Sequence, residues 1–335
     1  MKRGPRLILL FFILTLSISF VSANIFSDFW DKITGKIICR FDTSQCTVGP
    51  NINGTIPVRN CREIRSPGNY VLQNDLRGIS VTTPCLNIHD TSQVYIDCAG
   101  KTISSNSTTA SIIVSIKNVN NFSLKNCKIR AFNAYNYVEV TGSSNSYVVG
   151  NKFNKSFYQQ HSSNNNTIEN NTVDWSLREI SAGGIISAYG SRNIIKNNFV
   201  DGYGTATIDP LNGSNNRATG LDDGIITQDE TGDTVSGNTL QNFHDCGIET
   251  VGLVKDTTFS NNIIKNAWNC GIGGWYWNSM QGNTFSQNKV DNSTQLFQFN
   301  RVYALRPNES FVYFTNNLFT GNILTNITDN QSRTY

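Results

Sequence analysis

The residues best equipped for chemistry fall in one stretch, DGYGTATIDPLNGSNNRATGLDDGIITQDE from Asp201 to Glu230, which gathers Asp201, Asp209, Arg217, Asp222, Asp223, Asp229 and Glu230. Just downstream come HDCGIE (His244 to Glu249) and WNCGIG (Trp268 to Gly273). Aligned on their shared Gly-Ile, GLDDGI, FHDCGI and WNCGIG place Asp222 over Asp245 over Asn269, and Asp223 over Cys246 over Cys270. Two neighbouring carboxyl groups are what glycosidic hydrolysis uses: one is raised in pKa to donate a proton, and the other stays ionised to activate water. Asp222, Asp223, Asp245 and His244 are therefore the catalytic candidates. Alternation in GGWYWN sends Trp275 and Trp277 to one side, the face that Glu249 occupies, where indole rings can stack on sugars. With Arg217 these make a candidate carbohydrate contact. Plainer readings stand beside both: solvated turn aspartates, holding at most one calcium ion, and tryptophans that cover an insertion loop.

The elements that position these residues announce themselves by recurrence. A short phrase of apolar residue, spacer, asparagine and a second apolar residue returns as LKNCKI, VVGNKF, IENNTV, IKNNFV, VSGNTL, FSNNII, MQGNTF and FTNNLF. Its second polar position falls at Cys127, Asn151, Asn171, Asn198, Asn238, Asn262, Asn283 and Asn317. Steps of about 20 to 40 residues belong to stacked-coil architectures, and the longest, after Asn198 and after Asn283, mark insertions. Each phrase alternates as a half-buried strand does and ends in turn formers. Asparagine tolerates left-handed backbone angles, and its amide can bond the equivalent amide one coil away. The expected fold is all-β, a parallel β-helix of about 8 to 10 coils.

The recurring phrase, with CREIRSPGNYVLQNDL (Cys61 to Leu76) and CLNIHDTSQVYIDCAGKTI (Cys85 to Ile103), resembles the right-handed parallel β-helix proteins related to pectate lyases, within their secreted microbial group. The resemblance implies a right-handed helix over residues 61–335 and a polysaccharide or cell-surface glycan as partner. DDGI and HDCGI are also similar to the polygalacturonase family, with Asp223 at its first aspartate and Asp245 at the first of its aspartate pair. Cys246 stands at the second of that pair, Asn269 to Gly271 at its Gly-His-Gly, and no Arg-x-Lys follows. YGTATIDP shares the opening of the mannuronan epimerase motif, but Leu211 and Asn212 replace its His and Asp. These departures favour a non-catalytic secreted or surface β-helix that binds carbohydrate or serves a structural role. The alternative is a polysaccharide hydrolase, lyase or epimerase.

Ahead of the array, Lys2, Arg3 and Arg6, an apolar run to Val21 and the small residues Ser22 and Ala23 read as a signal peptide over residues 1–23, with an uncleaved anchor as the other reading. Residues 24–60 read as an N-terminal cap, since Phe29, Trp30, Ile33 and Ile37 fall at helical spacing. No later run is long enough to span a bilayer. The net charge of +3 comes largely from the signal, which leaves no case for nucleic acid. Eight cysteines suit an oxidising compartment and pair as Cys39–Cys46, Cys61–Cys85, Cys98–Cys127 and Cys246–Cys270. With no CxxC and three histidines, no transition metal is expected. Eleven N-x-S/T triplets, Asn165 and Asn170 among them, suit a secreted glycoprotein, although turn asparagines generate such triplets by themselves.

Overall fold

The computed structural model describes residues 54–78, 83–105, 111–131, 136–155, 157–175, 181–203, 220–267, 269–293, 295–298 and 314–326. The signal, most of the cap and the Cys39–Cys46 pair lie outside these residues. The chain divides into two units, Met1–Asn53 and Gly54–Tyr335, and everything below concerns the second.

Each coil is built from short strands that pair in parallel with their equivalents one coil on. In the middle of the stack Thr167–Glu169 pairs with Ile194–Lys196, then with Thr234–Ser236, Thr258–Ser260 and Thr284–Ser286. A third face is a separate ten-stranded sheet, one strand per coil. The other two faces merge into one twenty-stranded network, because long strands such as Leu86–Asp97, Ser111–Lys125 and Cys270–Gln281 run from one face onto the next. Among the described residues the first strand is Thr55–Val58, paired with Gly68–Leu72, and it lies inside the segment read as a cap.

The core is a set of columns, each made by one sequence position repeated coil after coil. Ile168, Ile195, Val235, Phe259 and Phe285 form one, and Phe153, Val173, Val200, Leu240, Ile264 and Val290 another, all without solvent exposure. Phe259, Phe285 and Phe319 stack with nearly parallel rings, centroids 4.9 and 4.7 Å apart. Burying one such side chain is worth about 1.5–3 kcal/mol, which a lone coil cannot collect because its flanks stay wet.

The corners explain the asparagine phrase. Its first polar residue is left-handed: Asn126, Gly150, Asn170, Asn197, Gly237 and Asn261 have φ between 54° and 65°. The next residue turns inward to form a ladder. The Asn151 backbone N–H and Nδ2 both donate to Asn171 Oδ1, at 2.9 and 3.0 Å, while Nδ2 also reaches the Leu124 carbonyl at 2.9 Å. The same geometry repeats through Asn198, Asn238, Asn262, Asn288 and Asn322. The sequence register needs correcting at this point. Asn283 and Asn317 belong to a second ladder at the preceding corner, with Ser146, Asn166, Asn193, Asp233 and Thr257. Each coil carries two near-identical phrases, so alignment by motif alone slips from one corner to the other.

Disulfides join neighbouring coils at Cys61–Cys85, Cys98–Cys127 and Cys246–Cys270, with Cα separations of 4.5, 4.8 and 4.6 Å. These are three of the four pairs expected from stacking. Among the described residues no helix is long and apolar enough to cross a membrane.

Candidate active site

The Gly-Ile register holds. Ile225 pairs with Ile248 and Ile248 with Ile272, so Asp222, Asp245 and Asn269 fall in one column and Asp223, Cys246 and Cys270 in the next. The glycines are there for space. A Cβ on Gly247 would lie 2.4 Å from Ile264 Cγ2 and one on Gly271 2.3 Å from Val290 Cγ2, so only glycine lets the strand turn tightly onto the core. Gly224, where a Cβ would lie 2.9 Å from the buried Phe243 ring, faces the core in the same way, which leaves the preceding Asp223 on the outer side. Glu249 also faces outward, alternating with Ile248 and Thr250, which are fully buried on the core side.

Asp223 and Glu249 meet on this outer face, and their carboxyl groups are hydrogen-bonded to each other. Asp223 is only 3% exposed and Glu249 8%, so neither is the solvated turn residue that one reading of the sequence allowed. Asp223 Oδ1 also accepts the Cys246 backbone N–H at 2.9 Å. Burial pushes the Asp223 carboxyl well above the ordinary aspartate range, and the charges of Glu249 and Asp245 push the same way. Such a pair holds one proton between its two oxygens. Asp245 stands close by: its carboxylate, that of Asp223 and Cys246 Sγ lie within 4.8 Å of one another. Asn269 Nδ2 donates to Asp245 Oδ1 at 2.6 Å and fixes its orientation. The Cys246 sulfur is bonded to Cys270 and is no thiolate, so the donors left for a cation are carboxyl oxygens alone. His244 sits to the side, with Nδ1 3.4 Å from Asp222 Oδ1.

The four catalytic candidates therefore separate into an inner group, Asp223 and Asp245, and a half-exposed pair, Asp222 and His244. Glu249, read from sequence as a sugar contact, is the carboxyl partner of Asp223. Trp275 lies in register beside Val251 within Cys270–Gln281, while the side chains of Trp275 and Trp277, and all of Arg217, fall outside the described residues.

A second acid pair escaped the sequence reading. Glu230 and Asp233 are 0% and 1% exposed on the core side. Ser187 Oγ donates to Glu230 Oε1 at 2.6 Å, and Asp233 Oδ1 accepts the Asn193 N–H at 2.8 Å. Asp233 Oδ2 is buried with no donor to accept from, which a proton shared with Glu230 remedies. Burial and the Glu230 charge push Asp233 up to about 9, and burial raises Glu230 against the pull of its hydrogen bonds. The available signal was an Asp at a ladder position where the two preceding coils place Asn166 and Asn193.

A family model described as the right handed beta helix region matches residues 160–319. The fold is the right-handed parallel β-helix. No curated protein sequence matches the chain. Among solved structures, endopolygalacturonase I from Stereum purpureum, in complex with two galacturonates, shares this β-helix with a TM-score of 0.51 and 13% identity, over 82% of this chain and 90% of that one. The A-module of a mannuronan C-5 epimerase from Azotobacter vinelandii gives 0.44 and 10% over 82% and 87%. A PL6-family polysaccharide lyase from Pseudopedobacter saltans gives 0.38 and 15% over 80% and 79%. Identities this low speak to the β-helix alone.

Proposed function

We propose that this β-helix acts on an extracellular polysaccharide, with the Asp223–Glu249 pair as proton donor to the glycosidic oxygen and Asp245, oriented by Asn269, as the base that activates water. The observation that carries the reading is a buried, hydrogen-bonded carboxyl pair on the outer face of a sheet. A carboxyl held protonated near neutral pH is the costly component of glycoside hydrolysis, and burial beside a second carboxylate is how proteins obtain one. Inter-coil disulfides support an oxidising, extracytoplasmic setting. The endopolygalacturonase of similar fold, in complex with two galacturonates, agrees with the substrate class.

The test is to incubate the protein with polygalacturonate, alginate and neutral glycans and to measure new reducing ends and unsaturated products. Asp223→Asn keeps the acceptor for the Cys246 N–H and removes the acid, so turnover should fall at least about 100-fold with the fold intact. Turnover should also decline as pH rises through the raised pKa of the pair. Unchanged turnover in Asp223→Asn would sink the assignment. Retention on a glycan with no product from any substrate would leave a binding module, the reading that the sequence favoured.

A further inference from the structure

Tyr189 holds a left-handed backbone while leaving half of its side chain in solvent. It occupies the turn that follows the long-face strand, a position that is left-handed in seven successive coils: Asp90, Asn118, Gly142, Ser162, Tyr189, Asp229 and Gly252, with φ between 49° and 66°. Six of the seven are residues that tolerate such angles or are small; Tyr189 is the bulky exception, at φ 59°. Asn118 and Asp229 use their side chains to bond the neighbouring coil, through Asp90 Oδ1 and the Leu253 N–H. The Tyr189 ring is instead 53% exposed. It stacks on His161, with ring centroids 6.2 Å apart and planes 23° from parallel, and its hydroxyl accepts from Gln228 Nε2 at 2.7 Å. Gln159 Nε2 lies against His161 Nε2.

This makes a shelf of two stacked rings edged by carboxamides, held out into solvent. It lies on the same outer face as the acid pair: Gln228 belongs to the strand that carries Asp223, and Ile226, two residues earlier, pairs with Glu249. From Glu249 the shelf is two coils along the stack and three residues across it, roughly 14 Å at ordinary strand spacings. A bulky residue held in the left-handed region is an outlier of the kind that clusters at ligand clamps and active sites.

We propose that Tyr189, backed by His161 and hydrogen-bonded to Gln228, is a saccharide subsite that takes the apolar face of a pyranose ring from the same glycan chain that reaches Asp223 and Glu249. The ring supplies the stacking surface, and the carboxamides of Gln228 and Gln159 supply neutral donors and acceptors to its hydroxyl groups. The shared glycan rests on the function proposed above, whereas the subsite itself is tested by binding alone.

The experiment is affinity electrophoresis of the intact protein through gels containing polygalacturonate, alginate, galactan or β-glucan, with thermal melting in parallel. Tyr189→Asn installs a residue type already used in this column, so Tm should hold or rise. Retardation on the retaining glycan should nevertheless weaken about tenfold. Tyr189→Phe should bind close to the parent, and His161→Ala should fall between. Retardation is read without turnover, so a parent that is retarded but yields no product leaves the subsite standing while the catalytic reading fails. Unchanged retardation in Tyr189→Asn, or a parent retarded by none of the four glycans, overturns the subsite.

Discussion

At the scale of single residues, what sets this chain apart from an inert coil stack is where it spends carboxyl groups. Asp233 sits where an amide would serve the ladder, and the proton it shares with Glu230 ties stability to pH. Both pKa values are raised on folding, Asp233 to about 9, so the native state binds more protons than the unfolded chain. Their stabilising contribution is full below about pH 4, where both carboxyls are protonated even in the unfolded chain, and is lost as pH rises towards 9. Asp223 acts with the same sign, and so does His89, raised by its hydrogen bonds to Glu63 and Asp90. Asp233→Asn restores the amide, so melting curves should show the variant gaining on the parent as pH goes from 5 to 9; a constant difference would mean that the pair carries no proton. The carboxyl column was legible in sequence because Gly-Ile fixes its register. The pairing of Asp223 with Glu249 was not, since it runs diagonally between coils, from one outward position to another three residues further along.

At the scale of the element, one coil's corner is a unit of two residues with separate tasks. The left-handed residue turns the chain, and the following amide holds the coil above. Asn238 receives the Asn198 N–H and Nδ2 at 2.9 and 3.0 Å and donates to Asn262 Oδ1 and the Ile195 carbonyl. Replacing it by alanine leaves those groups buried and unpaired, at about 1–3 kcal/mol each. Asn238→Ala should therefore cost about 3–5 kcal/mol in urea denaturation. The exposed left-handed Asn170, changed to Ala, should lose only about 1 kcal/mol, since it forfeits backbone tolerance alone. Equal losses at the two sites would contradict this division of labour. Strand phrases and their asparagines identify the coil from sequence alone. They do not say which of two corners a phrase belongs to, and the register slip at Asn283 has that origin.

At the scale of the whole solenoid, each coil contacts the coils beside it, and three disulfides lock particular steps. Cys61–Cys85 and Cys98–Cys127 secure the first coils, and Cys246–Cys270 lies over Gly273 beside the acid pair. Each closes a loop of 24 to 29 residues. In the chain-entropy view that is worth about 3–4 kcal/mol apiece. The Cys246→Ser/Cys270→Ser double variant should lower Tm and also reduce turnover, whereas Cys61→Ser/Cys85→Ser should lower Tm alone; equal loss of turnover in both would detach the disulfide from the site. The amide ladder, finally, has a direction. From Cys127 to Asn288 every backbone N–H in it donates toward the next coil, so the buried amides form a one-way file and the stack has unlike ends. The carbonyls of the same residues accept from the next coil, as Asn288 O does from the Ile323 N–H, so a segment that extends the file beyond Asn322 must offer an acceptor and a donor together. A further parallel coil meets both demands, so continuing the file with another copy is head-to-tail and open-ended, a polymerisation hazard of the kind that unpaired strand edges carry.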